Sequence, residues 1–321
     1  MSLQEFLAEW HDDRATVLVH TSGSTGEPKP MWVEKRRMVA SALTTCDFLG
    51  LHEGDTALLC MSLDYIAGKM MVVRALVRGL QLTTVPPGGH PLASVTTPID
   101  FAAMVPMQVW NSLQVPEECG RMRRIRHLII GGGTIDEALA AKLRDFPNAV
   151  WSTYGMTETL SHIALRRLNG PEASDWYTPF GGVGIGLTAD GCLVIDAPAV
   201  HDGQLVTNDV AEIQSGGRCF RILGRKDNVI CSGGLKIQAE EVEGLLRTHL
   251  HVPYLITKRP DPKFGEAVVL LTEGDAAEAQ AVCQRVLPKY WQPRVCIHTR
   301  QIPMTATGKP ARKQAELLAR Q

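Results

Sequence analysis

Several things are scarce in this sequence, and each scarcity removes a class of explanation. No uninterrupted apolar stretch approaches the roughly 20 residues that a membrane-spanning helix needs, so insertion into a bilayer is not expected. Neither sign of charge is in surplus: 33 Lys and Arg stand against 34 Asp and Glu, a formal net charge of -1. That balance gives no general electrostatic reason to bind nucleic acid or an anionic membrane. The eight cysteines, at 46, 60, 119, 192, 219, 231, 283 and 296, include no CxxC pair, which weakens a zinc reading. They are scattered through 321 residues, a length that buries a core without covalent staples, so they read as reduced thiols in a cytoplasmic protein. The opening MSLQEFLAEWHDDR lacks the basic start and apolar core of a secretory signal. Repeats and low-complexity segments are absent. The one dense basic run, RMRRIRH at 121–127, reads as a solvated face, because the chain around it is not basic.

What is present points to an α/β protein. The length admits one large domain or two unequal ones. Short β-rich runs alternate with helical patterns: VLVH (17–20) and ALLCMSL (57–63) as strands, 68–79 as a helix ending at Gly79, and RHLIIGGG (126–133) as a buried strand running into glycines. Thr134 with Glu137 three residues on resembles a capping box at the start of the next helix. This alternation favours mostly parallel strands. After about residue 180 the texture changes. GGVGIG, DGCLVIDAP and GQLVTNDVAEI read as short strands with turns. GRKDNVICSGGLKIQAEEVEGLLRTHL reads as a strand, a glycine turn and an amphipathic helix, with a further strand near 266–272 and a helix near 275–287. A boundary is expected near Gly224–Asp227, dividing the chain into 1–225 and 226–321.

The most informative stretch is TSGSTGEPKP, Thr21 to Pro30, directly after the run 17–20. Its glycines permit close backbone approach, its hydroxyls and amides donate to anionic oxygens, and its lysine adds positive charge, a combination suited to phosphate. The spacing is not that of a Walker loop, because Gly26 is followed by Glu27, Pro28, Lys29 and Pro30 rather than by the pattern ending in Gly-Lys-Ser/Thr.

The loop does not stand alone. TSGSTGEPK resembles the phosphate loop of the adenylate-forming superfamily, which includes acyl-CoA synthetases, peptide-synthetase adenylation domains and luciferases. YGMTET (154–159) resembles that superfamily's Tyr-Gly-x-Thr-Glu motif, GRKDNVICSGGLKI (224–237) its hinge motif, and PMTATGKPAR (303–312) its C-terminal lysine motif. The four occur in the superfamily's order from residue 21 to residue 312, so the resemblance covers nearly the whole chain. Within it, SLDYIAGKM (62–70), YGMTETLSHIALRRLNG (154–170), LVTNDV (205–210) and ILGRKDNVICSGGLKI (222–237) look like the o-succinylbenzoate–CoA ligase family of menaquinone biosynthesis.

The resemblance implies a fold, a reaction and roles. The fold would be a large N-terminal domain with a mostly parallel sheet, then a small mobile α+β C-terminal domain. The reaction would use ATP, Mg²⁺ and coenzyme A: a carboxylate attacks the α-phosphorus of ATP to give an acyl-adenylate and pyrophosphate, then the thiol of coenzyme A displaces AMP. Neither step needs a covalent enzyme intermediate, so positioning and charge stabilisation carry the catalysis. Thr21, Ser22, Gly23, Ser24, Thr25, Gly26 and Lys29 would cradle the β- and γ-phosphates. Thr157 would touch the α-phosphate and Glu158 would hold Mg²⁺, a hard cation that prefers oxygen. Tyr154, with Gly155 and Met156 beside it, would stack near the adenine, and Gly131, Gly132 and Gly133 would let the ligand pass close to backbone. Asp209 would accept from both ribose hydroxyls, although Asn208 stands where the superfamily commonly has glycine, and Arg225 would reach the ribose or phosphate. Lys309 would neutralise charge growing on the α-phosphate and carboxylate. Rotation about Asp227 would then bring Ser232, Gly233 and Gly234 to line the coenzyme A tunnel. Tyr65 would sit at the mouth of the acyl pocket, with Lys69, Ser161 and His162 meeting a second carboxylate, which needs donors or positive charge when buried.

The superfamily usually carries a long first subdomain ahead of its phosphate loop, and here the loop begins at residue 21. A sheet face left uncovered in this way would favour a homodimer. Three other readings compete: a ligase for another aryl or short acyl acid, an adenylation domain that loads a carrier protein, and a non-catalytic adenylate-binding protein. The last is disfavoured by the presence of Lys309, Glu158 and the loop, and the carrier reading by the lack of a carrier-like Asp-Ser segment.

Overall fold

The computed structural model describes residues 1–20, 30–133, 135, 137–305 and 309–320. Helix α1 (Leu3–His11) is capped by the Ser2 hydroxyl and leads to an antiparallel hairpin, β1 (Thr16–His20) and β2 (Pro30–Glu34). The connection between these two strands contains Thr21 to Lys29, so the whole expected phosphate loop lies outside the described residues. Helix α2 (Lys35–Leu49) follows and stops at Gly50, in the left-handed conformation at φ 61°.

The centre of the molecule is a seven-stranded sheet. Its members are β3 (Thr56–Leu59), β4 (Gln81–Thr84), β5 (Phe101–Met104), β6 (His127–Ile130), β7 (Ala149–Gly155), β8 (His162–Arg167) and β9 (Thr178–Pro179), in the spatial order β4-β3-β5-β6-β7-β8-β9. The strands from β4 to β7 are parallel, and β8 and β9 run antiparallel. The connections include α3 (Ile66–Arg78), α4 (Pro106–Gln114), α5 (Pro116–Met122) and α6 (Glu137–Leu143). Phe101–Met104, buried along its whole length, reads as a continuous apolar run because both faces of a parallel strand are covered. Met38, Ala42, Met70 and Val73 from α2 and α3 pack on one face, and Val109, Met122 and Leu139 from α4 to α6 on the other. Among the described residues helices therefore pack on both faces of the central sheet, and the uncovered face expected from the sequence is not seen there.

The expected strand 57–63 is also shorter than the apolar pattern suggests. It ends at Leu59, and Asp64 closes a turn through its backbone N–H and its carboxylate onto the Ser62 hydroxyl. The turn lets α3 begin at once, and a side chain at Gly68 would meet the Ser62 carbonyl at 2.3 Å. Of the expected capping box, Thr134 lies outside the described residues, and Glu137 is the first residue of α6.

An antiparallel four-stranded sheet follows, with β10 (Gly184–Leu187), β11 (Cys192–Asp196), β12 (Gln204–Ile213) and β13 (Phe220–Arg225) paired in sequence order. Its Leu193 and Phe220 pack into the same core as α2 and α3. A turn at Lys226–Asn228 leads to a second, mixed sheet made of β14 (Val229–Ser232), β15 (Leu235–Gln238), β16 (Tyr254–Asp261), β17 (Gly265–Thr272) and β18 (Val295–His298). Val242 and Cys283, from α7 (Ala239–Leu246) and α8 (Ala276–Val286), pack on one face, and Ala315 from α9 (Arg312–Ala319) on the other.

Candidate active site

The site assembles where β7 ends. Tyr154, the penultimate residue of β7, donates its hydroxyl to Asp209 Oδ2 at 2.6 Å, and its ring lies edge-on to Phe220 with centroids 5.0 Å apart. Burial, helped by the neighbouring carboxylate, holds the Tyr154 phenol above its ordinary range, so it remains a donor. Asp209 on β12 stands opposite Arg225 on β13, and the Arg225 guanidinium donates to Asp209 Oδ1 at 3.1 Å. A carboxylate has about four lone-pair sites, so two of those on Asp209 stay open. Tyr154 thus arrives beside the expected ribose acceptor, held through its hydroxyl, with its ring committed to Phe220 and Tyr177.

Lys309 reaches this cluster from the far end of the chain. It is half-buried and lies within electrostatic range of Arg225 and Asp209. Burial lowers its pKa, Arg225 lowers it further and Asp209 opposes both, with a net fall from the ordinary lysine range. Its loop is fastened at the base: Thr305 N–H donates to the Lys309 carbonyl at 2.7 Å, Lys309 N–H to the Thr305 hydroxyl at 3.1 Å, and Ala311 N–H to the Pro303 carbonyl at 2.8 Å.

Beyond β7 the chain makes a single helical turn, Thr157–Thr159, and doubles back into β8. A Cβ at Gly155 would meet the Ser161 carbonyl at 2.2 Å, so glycine is needed there for the return of the chain itself. Leu160 closes the turn at φ 64° and ψ -33°, a positive-φ conformation costly for any residue with a side chain and found at functional sites. Thr157 is buried, while Glu158 is half-buried and has no ion-pair partner among the described residues. A free carboxylate at this turn suits a magnesium ion that completes its shell with phosphate oxygens. No group of three or more His, Cys, Asp or Glu forms a metal cluster among the described residues. Gly131 follows β6, where a Cβ would meet the Thr153 hydroxyl at 2.3 Å, and Gly132 adopts φ 79°. Gly132 and Gly133 are exposed and lie over Val105 and Pro106 at the start of α4, and Met156 packs at the edge of the core.

Tyr65 caps the start of α3 and bridges to His20, which places it at the foot of the segment carrying the phosphate loop. The remaining acyl-pocket expectations divide. Lys69 is a correction: its ammonium is spent on the Leu18 carbonyl at 2.8 Å and Glu9 at 3.5 Å, over the ring of Phe6. It fastens α1 and β1 to α3 and does not join Ser161 and His162. Those two do form a cluster. The His162 ring lies 3.1 Å from the Thr45 hydroxyl through Nε2 and 3.2 Å from the Ser161 hydroxyl through Nδ1. Burial, then nearby Arg74, pushes its pKa well below the ordinary histidine value, so His162 is neutral and brings no charge to meet an anion.

The charge comes from a residue that the sequence reading did not single out. Arg74, on α3, is 2% exposed, yet no carboxylate lies within ion-pair distance of it among the described residues. Its guanidinium donates to the Ser161 hydroxyl at 2.6 Å and to the Met71 sulfur at 3.8 Å and lies 3.5 Å from the Thr45 hydroxyl, and its Nε has no acceptor among the described residues. Burial lowers its pKa to about 10, so it stays protonated at neutral pH. The only hint in the sequence is an arginine inside the apolar run MMVVRALV.

Asp227 lies in the turn between the four-stranded antiparallel sheet and the mixed sheet, held by Arg225 at 3.0 Å and by the amide of Asn208 at 3.3 Å. Asn208, where glycine is common, is therefore a contact to the expected hinge. Ser232 ends β14, and Gly233 and Gly234 form the two-residue hairpin turn to β15 with φ 58° and 86°, as a type I′ turn requires. These residues face solvent and hydrogen-bond towards Phe264, with no hydrogen bond to the Tyr154–Asp209 cluster among the described residues.

Comparison with known proteins places the chain. The model of the AMP-binding enzyme family matches residues 4–207, and the chain belongs to that family. It is an AMP-forming acid–thiol ligase, an enzyme built on the adenylate-forming fold. An acyl-CoA synthetase (AMP-forming)/AMP-acid ligase II-like protein from Dyadobacter fermentans is 34% identical in sequence and superposes with a TM-score of 0.66 over 98% of this chain and 92% of its own. The 2-succinylbenzoate–CoA ligase of Bacillus mycoides (strain KBAB4) is 24% identical over 349 residues, which span 97% of this chain and 71% of that protein. The o-succinylbenzoate coenzyme A synthetase of Bacillus subtilis, solved with ATP and magnesium, superposes with a TM-score of 0.75 at 23% identity over 92% of this chain and 69% of its own. Among the described residues, no helix is long and apolar enough to cross a membrane.

Proposed function

We propose that this chain condenses a carboxylic acid with coenzyme A at the expense of ATP, and that the acid is o-succinylbenzoate, as in menaquinone biosynthesis. One observation carries the choice of acid: the buried Arg74 guanidinium beside Ser161 has no counter-ion among the described residues. A buried cation without a partner is costly. A dicarboxylic acid supplies one: one carboxylate is activated and the other meets Arg74 through Ser161. Ligases of this name among the relatives add weight to the reading.

In the first step a carboxylate oxygen bonds to the α-phosphorus, and the bond from that phosphorus to the bridging oxygen of pyrophosphate breaks. Asp209 and Arg225 hold the ribose, Thr157 faces the α-phosphate, and Thr21 to Lys29 hold the outer phosphates. Magnesium, held by Glu158, would offset phosphate charge. Lys309 neutralises the negative charge gathering between carboxylate and phosphorus, a stabilisation available from a preorganised donor. In the second step sulfur bonds to the acyl carbon, the bond to AMP oxygen breaks, and the thiol proton leaves to solvent. For that step residues 226–321 turn about Asp227 as a separate domain, and Ser232 to Gly234 line the approach of the thiol arm.

The test is pyrophosphate release by the purified chain with ATP and Mg²⁺ across a panel of acids, with and without coenzyme A. The expected result is release confined to o-succinylbenzoate, with its thioester formed when coenzyme A is present. Release confined to a different acid overturns the choice of substrate, and silence across the panel overturns the catalytic reading.

A further inference from the structure

Lys309 is three residues from the start of α9, and that first helical residue, Arg312, is held unusually firmly. Its two terminal nitrogens fork onto Glu243 of α7, Nη1 to Oε1 at 3.1 Å and Nη2 to Oε2 at 2.9 Å, and Nη1 also donates to the Ile256 carbonyl of β16 at 2.9 Å. Glu243 is fixed in turn, accepting the Ile256 N–H at 2.9 Å. Burial alone would depress the Arg312 pKa, but the carboxylates of Glu243 and Glu240 together raise it. A bidentate fork of this kind fixes angle as well as distance.

The same arginine touches a chain of polar groups that begins at the joint between the two sheets. Glu240 lies 3.7 Å from Arg312 and accepts from the amides of Asn228 and Gln238. The Gln238 amide also donates to the Arg225 carbonyl at 3.0 Å. Gly224 permits this approach, since a Cβ there would meet the Gln238 amide at 2.4 Å. So hydrogen bonds around the residues flanking Asp227 connect, through the Glu240–Arg312 ion pair, to the start of the helix that follows Lys309.

We infer that Arg312, through its fork onto Glu243, is a positioning residue that sets where Lys309 enters the site, and so governs the adenylation step without touching substrate. This rests on the role given to Lys309 above. The two half-reactions separate the cases. Adenylation is read as pyrophosphate release, and thioester formation is read from acyl-adenylate supplied to the enzyme. Arg312→Lys keeps the charge and loses the fork, and Glu243→Gln keeps the shape and loses the charge. Both are expected to lower the kcat of adenylation about tenfold or more, as misplacement by an ångström does, with the KM for ATP and the thioester step each changed less than about threefold.

Lys309→Ala is the control on the underlying reading. If it leaves adenylation intact, the role of Lys309 falls and this inference with it. If Lys309→Ala abolishes adenylation but Arg312→Lys and Glu243→Gln keep wild-type rates, the inference alone is overturned. Equal loss of both half-reactions in the two variants also overturns it, because a merely structural pair would do that. Thioester formation by the same preparations shows that the variants are folded.

Discussion

Two arginines, each on a helix and each largely withdrawn from water, live under opposite rules. Arg312 is answered by a carboxylate in fork geometry and by a backbone carbonyl. Arg74 is answered by two hydroxyls and the Met71 sulfur, and its Nε has no acceptor among the described residues. The first arrangement is complete, and removing either half leaves a charge stranded. The second is incomplete, and an incomplete buried charge is what a site for an anion looks like before the anion arrives. Lys69, five positions before Arg74 on the same helix, shows that proximity to the pocket is not the criterion: it has Glu9 and a carbonyl, and its work is to hold the N-terminal helix down.

The contrast can be broken by stability measurements. Arg312→Met leaves the withdrawn Glu243 carboxylate with the Ile256 N–H but no paired cation and is expected to cost about 3–5 kcal/mol, read as a fall in the midpoint of urea unfolding. Arg74→Met removes a buried charge that nothing balances, so it is expected to leave stability unchanged or to raise it by roughly 1 kcal/mol or more. If the two variants are destabilised alike, Arg74 has a structural partner and the contrast fails.

A smaller effect sharpens it. His162 is kept neutral by burial and by Arg74, with a folded pKa well below the unfolded value. Above that unfolded value both states are neutral, and the residue contributes no pH dependence. As the pH falls through about 6.5, the unfolded chain takes up a proton that the folded protein refuses, so stability declines by up to about 1.4 kcal/mol per unit. Wild-type and His162→Gln proteins, unfolded side by side between pH 7.5 and 5, are expected to diverge, with the variant showing the shallower slope. Parallel curves would mean that His162 gains its proton in the fold, and that the pocket already holds negative charge.

How much of this was legible beforehand follows the range of the interactions. The Tyr154–Thr159 turn and the Gly233–Gly234 hairpin are local events, spelled out in consecutive residues. The stop at Gly79 is likewise local, a left-handed glycine closing an apolar helix. The partners of buried charges are not local. Glu9 lies 60 positions from Lys69, Ser161 lies 87 from Arg74, and Glu243 lies 69 from Arg312. An apolar helix carrying three cations, Lys69, Arg74 and Arg78, cannot say which are balanced, because the answer sits on other elements. The end of β3 is hidden for a related reason, since the approach of Gly68 to Ser62 is a packing fact that hydrophobic pattern does not encode.

The most direct test of the central claim is the kcat/KM for pyrophosphate release by wild-type and Arg74→Met enzymes, with o-succinylbenzoate and with each analogue lacking one of its carboxylates. If the second carboxylate is the missing partner of Arg74, the variant loses about 30-fold or more with the diacid, the worth of a buried charge-assisted contact. It then matches wild type, within about threefold, on the monoacid that retains the activated carboxylate. Equal losses on diacid and monoacid would contradict the account, and Arg74 would then be part of the scaffold.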